Sequence, residues 1–104
     1  IARIISFIKG GSEWEGYAKR AQEFFRWVRE EWDEPGDNIH LWDFYELETE
    51  GGLYLKPEYA ARRNDSHPHH RFSATVAPLF CRRIVDVVEG HGDSTGLTRE
   101  SHHP

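Results

Sequence analysis

The five residues Asn64-Asp65-Ser66-His67-Pro68 carry the most chemistry in this sequence. A carboxylate and an imidazole stand two positions apart in a polar stretch. Such a pair is the acid–base half of a hydrolytic triad, in which the carboxylate fixes the ring tautomer and stabilises the imidazolium. His67 is then the candidate general base and Asp65 its orienter. Asn64 is the alternative orienter; it can hold the ring by a hydrogen bond but cannot stabilise its charged form. The same residues also suit a loop entering a helix, where Asp or Ser caps and Pro fills the first turn.

Other groupings compete for a role. His67, His69 and His70 with Asp65 place imidazoles and a carboxylate close together, a set that can bind zinc, nickel or copper. Their spacing matches no closed site, no cysteine joins them, and no metal is expected; a solvated His-rich loop is the plain alternative. Gly92-Asp93-Ser94 spells a serine-nucleophile motif but falls in a Gly/Ser/Thr/His-rich tail, which cannot preorganise a nucleophile. Asp43 ends an apolar run and serves either a site or a cap. Cys81, the single cysteine, lies in an apolar helical pattern, where a buried inert thiol is the default.

The elements that would position these groups follow from periodicity. Ile1 to Ile8 is short, β-branched and closed by Lys9-Gly10-Gly11, which predicts a buried strand. Ser12 to Trp32 predicts an amphipathic helix. Trp14, Tyr17, Ala18, Ala21, Phe24, Phe25, Val28 and Trp32 recur at helical spacing and form a core face. Ser12 and Glu15 have capping-box form, and Pro35-Gly36 ends the pattern. Asn38 to Tyr45 is apolar on both sides and predicts a parallel strand covered on both faces. Strand, helix and strand make a right-handed βαβ unit. Glu46 to His70 is a long connection. Phe72 to Glu89 predicts the last helix, with Phe72, Val76, Leu79, Phe80, Ile84, Val87 and Val88 as its apolar face. Pro78 there implies a kink or a displaced start, and Gly90 suits the position just past the end.

In this order the blocks resemble the SGNH (GDSL-type) hydrolases. Their last block sets Asp and His in a loop before the closing helix, often as D-S-H-P, as Asp65-Ser66-His67-Pro68 does here. Trp42-Asp43-Phe44 is similar to the strand before that loop, Leu53 to Tyr59 to the connection, and Val76-Ala77-Pro78-Leu79-Phe80 to the closing helix. The resemblance spans residues 39 to 89. It implies an incomplete flavodoxin-like three-layer α/β fold over 1–89, with a flexible tail over 90–104. It also implies hydrolysis of a small-molecule or glycan ester through an acyl-serine, with His67 as base. The family's Gly-Asp-Ser block and oxyanion donors have no counterpart ahead of the loop. The expected chain is therefore the carboxy-terminal part of an ester hydrolase, inactive in isolation and requiring no cofactor. The alternative is a small His-rich metal- or partner-binding module.

Composition bounds the remaining classes. The 104 residues suffice for one small domain, and 14 aromatics argue against disorder. A formal net charge of −5 disfavours nucleic acid, which needs a basic surface. No apolar run approaches the roughly 20 residues of a membrane span. The chain opens on Ile1 and contains no Met, as expected of a truncated or processed start, and no signal-peptide pattern follows. The compartment stays open. A βαβ unit with one helix leaves faces uncovered, so self-association is expected.

Overall fold

Burial on a helix face and the pull of unsatisfied backbone groups account for most of what the computed structural model contains. It describes residues 11–63, 65 and 67–100, with side chains from Trp14 onward. The expected strand at Ile1 to Ile8, Asn64 and the side chain of the expected Ser12 cap lie outside what is described. Three helices form: α1 over Gly11–Trp27, α2 over Phe44–Thr49 and α3 over His70–Val88. One π-helical turn, Val28–Trp32, continues α1, and a single 3-10 turn spans Pro57–Tyr59.

The α/β expectation is overturned. Among the described residues there is no strand, hence no parallel sheet and no three-layer flavodoxin-like arrangement. Apolarity on both sides of residues 38–43 was not enough, because a strand exists only when a neighbour takes its backbone groups. Here those groups find other partners. The Ile39 amide bonds Asp37 Oδ1 at 3.1 Å, the Leu41 carbonyl accepts from Arg83 Nε at 2.7 Å, and the Asp43 amide bonds the Leu97 carbonyl at 3.0 Å. Asp43 then caps α2, its Oδ1 accepting the Glu46 amide at 3.0 Å. The capping reading of Asp43 is the one the structure supports.

Two compact units divide after Trp32. In the first, the helical spacing of the aromatic residues is realised but their burial is not. Tyr17, Phe24, Phe25, Trp27 and Trp32 are exposed. Three of them meet along the helix instead, with Phe24 edge-on to Phe25 at 5.6 Å and near-parallel to Trp27 at 6.3 Å. Lys19 pairs with Glu15 one turn earlier at 3.4 Å, as an i,i+4 spacing allows.

The second unit is built on α3. Phe72 and Val76 from α3 and Leu47 from α2 are buried together, with Trp42, Phe44, Tyr59 and Leu79 packed around them. Tyr59 stacks on Phe72 at 4.2 Å, and Trp42 lies 4.8 Å from Phe80. The buried stripe of α3 continues in phase through two charged residues, Arg83 and Asp86. The helix passes through Pro78 without a break. Pro78 and Ala74, whose carbonyl loses its amide partner there, are both exposed, so water can satisfy the orphaned group. At its end Gly90, at φ +86°, allows a Schellman closure: its amide bonds the Val87 carbonyl at 3.1 Å, and the His91 amide bonds Asp86 at 2.7 Å.

Residues 91–99, expected as a flexible tail, run back over the unit. Arg83 Nη1 donates to the Gly92 carbonyl at 2.6 Å and to Thr95 Oγ1 at 3.0 Å. Trp42 Nε1 donates to the Thr98 carbonyl at 3.3 Å, and Arg99 forms an ion pair with the buried Asp86. Arg83 therefore joins α3, the 38–43 segment and the returning 91–99 segment. Replacing Arg83 with Met keeps much of its volume and removes its bonds to Leu41, Gly92 and Thr95. We expect a loss of about 2–4 kcal/mol, from hydrogen bonds to a charged donor and carbonyls left unpaired. Urea denaturation measures the loss, and hydrogen exchange should show residues 91–99 released first.

Candidate functional site

A pinched loop presents the Asp65–His67 pair. Its two limbs meet at an antiparallel bridge between Ala60 and Pro68. The Ala61 amide bonds the His67 carbonyl at 2.8 Å, and the His69 amide bonds the Tyr59 carbonyl at 2.7 Å. At the tip the Asp65 amide bonds the Arg62 carbonyl at 3.1 Å. The local reason is the short Asp side chain, which reaches the amide two residues on and favours a turn over regular structure.

Asp65 Oδ1 accepts from the His67 backbone amide at 3.1 Å and lies 2.7 Å from His67 Nδ1. One carboxylate oxygen thus fixes both the backbone and the ring. A carboxylate only accepts, so Nδ1 carries the proton and the neutral ring keeps its lone pair on Nε2. The His67 side chain is 81% exposed, while that of Asp65 is 23% exposed. The result is a sheltered acid behind an accessible imidazole, which can take up a proton from a group brought to Nε2.

The neighbouring histidines do not converge on His67. His69 Nδ1 accepts the Phe72 amide at 2.9 Å and caps α3, while Nε2 lies 2.8 Å from the Glu58 carbonyl. Nδ1 must be the acceptor and Nε2 the donor, so both ring nitrogens are committed to structure. Among the described residues no group of three or more His, Cys, Asp or Glu is placed to hold a metal. The sequence carries one signal for this cap, a polar residue immediately before the helical pattern, where composition alone reads a His-rich loop.

Gly92-Asp93-Ser94 is a structural knot. Ser94 Oγ donates to the His91 carbonyl at 3.2 Å. Asp93 accepts the Gly36 amide at 3.0 Å and faces His40 Nδ1 at 3.7 Å. A Cβ on Gly92 would lie 2.6 Å from the His40 ring, so the glycine lets that ring pack against the backbone. Cys81, expected to be buried, is exposed.

Tyr59, at the base of the loop, ties it to the end of α2. Its hydroxyl donates to Glu50 Oε1. That bond first, then partial burial and the negative charges of Glu50, Glu58 and Glu100, push the phenol up to about 12. Partial burial likewise raises the Glu48 carboxyl above its ordinary value.

The chain matches no protein-family model, no curated protein and no solved structure. Among the described residues no helix is long and apolar enough to cross a membrane.

Two outcomes follow from this geometry. Between the ordinary tyrosine value of 10.0 and about 12, the unfolded chain loses the Tyr59 proton while the folded chain keeps it. The Tyr59 contribution is therefore complete below pH 10 and is lost as pH rises through 12. Tyrosinate absorbance of the folded protein should show one late-titrating phenol, absent in Tyr59→Phe. His69→Ala should cost about 1 kcal/mol through the lost cap, with Asn restoring most of it; thermal denaturation at neutral pH measures both.

Proposed function

We propose that Asp65 and His67 are the acid–base pair of an ester-hydrolysing site. The observation that carries this reading is the 2.7 Å contact between Asp65 Oδ1 and His67 Nδ1, with the His67 ring exposed on a pinched loop. His67 Nε2 takes the proton of a serine hydroxyl as that oxygen attacks the ester carbonyl, then returns it to the leaving alcohol. Asp65 holds the tautomer and stabilises the imidazolium. The resemblance of Asp65-Ser66-His67-Pro68 to the SGNH block supports the same assignment, although the strand that precedes this block in the family has no counterpart here. The serine and oxyanion donors come from outside the described residues, and the ester is a small-molecule or glycan substrate. The reading requires no organic cofactor.

The test uses the protein encoded by the complete reading frame that contains these residues. Hydrolysis of p-nitrophenyl acetate and labelling by a fluorophosphonate report a reactive serine. His67→Ala should lower kcat by about 10³-fold or more. Asp65→Asn should lower it by about 10²–10⁴-fold, the upper end set by a serine protease whose triad Asp was changed to Asn. Asn64→Ala should leave it nearly unchanged. The 104 residues alone should show no turnover that depends on His67. Unchanged activity in His67→Ala, or a complete protein without a labelled serine, overturns the assignment.

A further inference from the structure

The loop that presents His67 is basic in a chain that is acidic. Residues 62–71 carry Arg62, Arg63 and Arg71 with three histidines, against the single carboxylate of Asp65, while the whole chain has a formal net charge of −5. All three arginines are exposed. Elsewhere the surplus of acids serves to pair cations: Lys19 with Glu15, Lys56 with Glu50 and Glu58, Arg99 with Asp86. Among the described residues no carboxylate pairs with Arg62 or Arg63, and Asp65 is committed to His67.

Local geometry puts Arg62 and Arg63 beside the imidazole. The bond from the Asp65 amide to the Arg62 carbonyl, 3.1 Å, closes a four-residue turn with Arg62 first and Arg63 second. The ends of such a turn lie within about 7 Å, Cα to Cα. Asp65, at the far end, holds the His67 ring through Oδ1 at 2.7 Å. The Ala61 amide bonds the His67 carbonyl at 2.8 Å, so Arg62 follows directly on the residue that faces His67 across the loop. An extended arginine at either position reaches a molecule held at His67 Nε2. We propose, on the acid–base reading of Asp65 and His67, that Arg62 and Arg63 bind an anionic group of the ester. That group is a carboxylate or a phosphate close to the bond that is cut, and the two arginines select charged esters over neutral ones.

The residue type suits the task. A guanidinium is always charged and presents a planar fork of N–H donors that matches two oxygens of a carboxylate or phosphate. Long-range charge makes such a device necessary. A chain of net charge −5 repels an anion, and at physiological salt that repulsion is screened over about 8 Å. Within that distance of His67 the loop's own charges weigh most, and there arginine outnumbers carboxylate, so an anion is drawn toward the imidazole. A neutral ester gains nothing from either arginine.

The test uses the protein encoded by the complete reading frame and a matched pair of esters, p-acetoxybenzoate and its neutral methyl ester, with p-acetoxyphenyl phosphate as the phosphate arm. Arg62→Gln with Arg63→Gln should raise KM about tenfold for an anionic ester, the loss expected when a charge-assisted bond is removed. The kcat values and the KM of the neutral ester should stay nearly unchanged. An effect on either anionic ester supports the proposal, and the larger effect tells carboxylate from phosphate. Arg82→Gln, which removes an exposed charge farther along α3, should alter none of these values. Added salt should shrink the preference for charged esters in the unaltered protein and not in the double variant. Both side chains are exposed, so thermal denaturation should be unchanged; if the double variant is unstable, each single Gln variant and the salt dependence still decide. Arginine variants that leave the anionic esters unchanged, or that affect charged and neutral esters alike, overturn the arginine assignment while loss of turnover in His67→Ala keeps the base. Turnover of all three esters that survives His67→Ala overturns the base and the arginine role with it.

Discussion

Arg83 is a charged residue in a helix position that geometry assigns to the core. It is 4% exposed, and burying a guanidinium without partners would cost several kcal/mol. The surrounding chain supplies them: the Leu41 carbonyl, the Gly92 carbonyl and Thr95 Oγ1, each from a segment without regular structure. The dependence runs both ways. The buried charge needs those acceptors, and the segments need a donor because no sheet among the described residues satisfies them. One turn later Asp86 repeats the device with Arg99. With only Leu47, Phe72 and Val76 as buried apolar side chains among the described residues, polar ties give the second unit much of its definition.

The Asp65–His67 loop depends on that frame at one remove. Its limbs leave Tyr59 and enter α3 at His69, and both anchors belong to the packed unit: Tyr59 stacks on Phe72, and His69 caps the helix that carries Phe72. A pair on a pinched loop with both limbs anchored is positioned while remaining accessible, as the proposed acid–base role requires.

Some readings of the sequence survived because they depend on neighbours in the chain. The Asp65–His67 contact spans two residues and needs only a turn. The Asp43 cap, the Gly90 closure and the approximate extents of α1 and α3 are likewise local, set by side-chain reach, by φ freedom and by the 3.6-residue period. Others failed because they depend on residues distant in sequence. Residues 38–43 have the composition of a buried strand, and their fate was decided by Arg83, Asp37 and Leu97, which take their backbone groups. Gly92-Asp93-Ser94 has the composition of a flexible tail, and its place beside His40 and Gly36 comes from residues more than fifty positions away.

The sequence by itself determined the approximate extents of α1 and α3 and placed a carboxylate within reach of His67, since each rests on contacts within about a turn of the chain; α2, read as the end of a strand and the start of a connection, was not legible. Only the tertiary structure decided that no sheet forms among the described residues, that His69 is a cap and that 91–99 folds back onto Arg83. It also decided which of the apolar residues of α3 face a core. A helical period fixes the angle between side chains but not which angle points inward; that is chosen by whatever the helix packs against. For α3 the choice buried Phe72, Val76, Arg83 and Asp86 and left Phe80, Ile84 and Val88 outside.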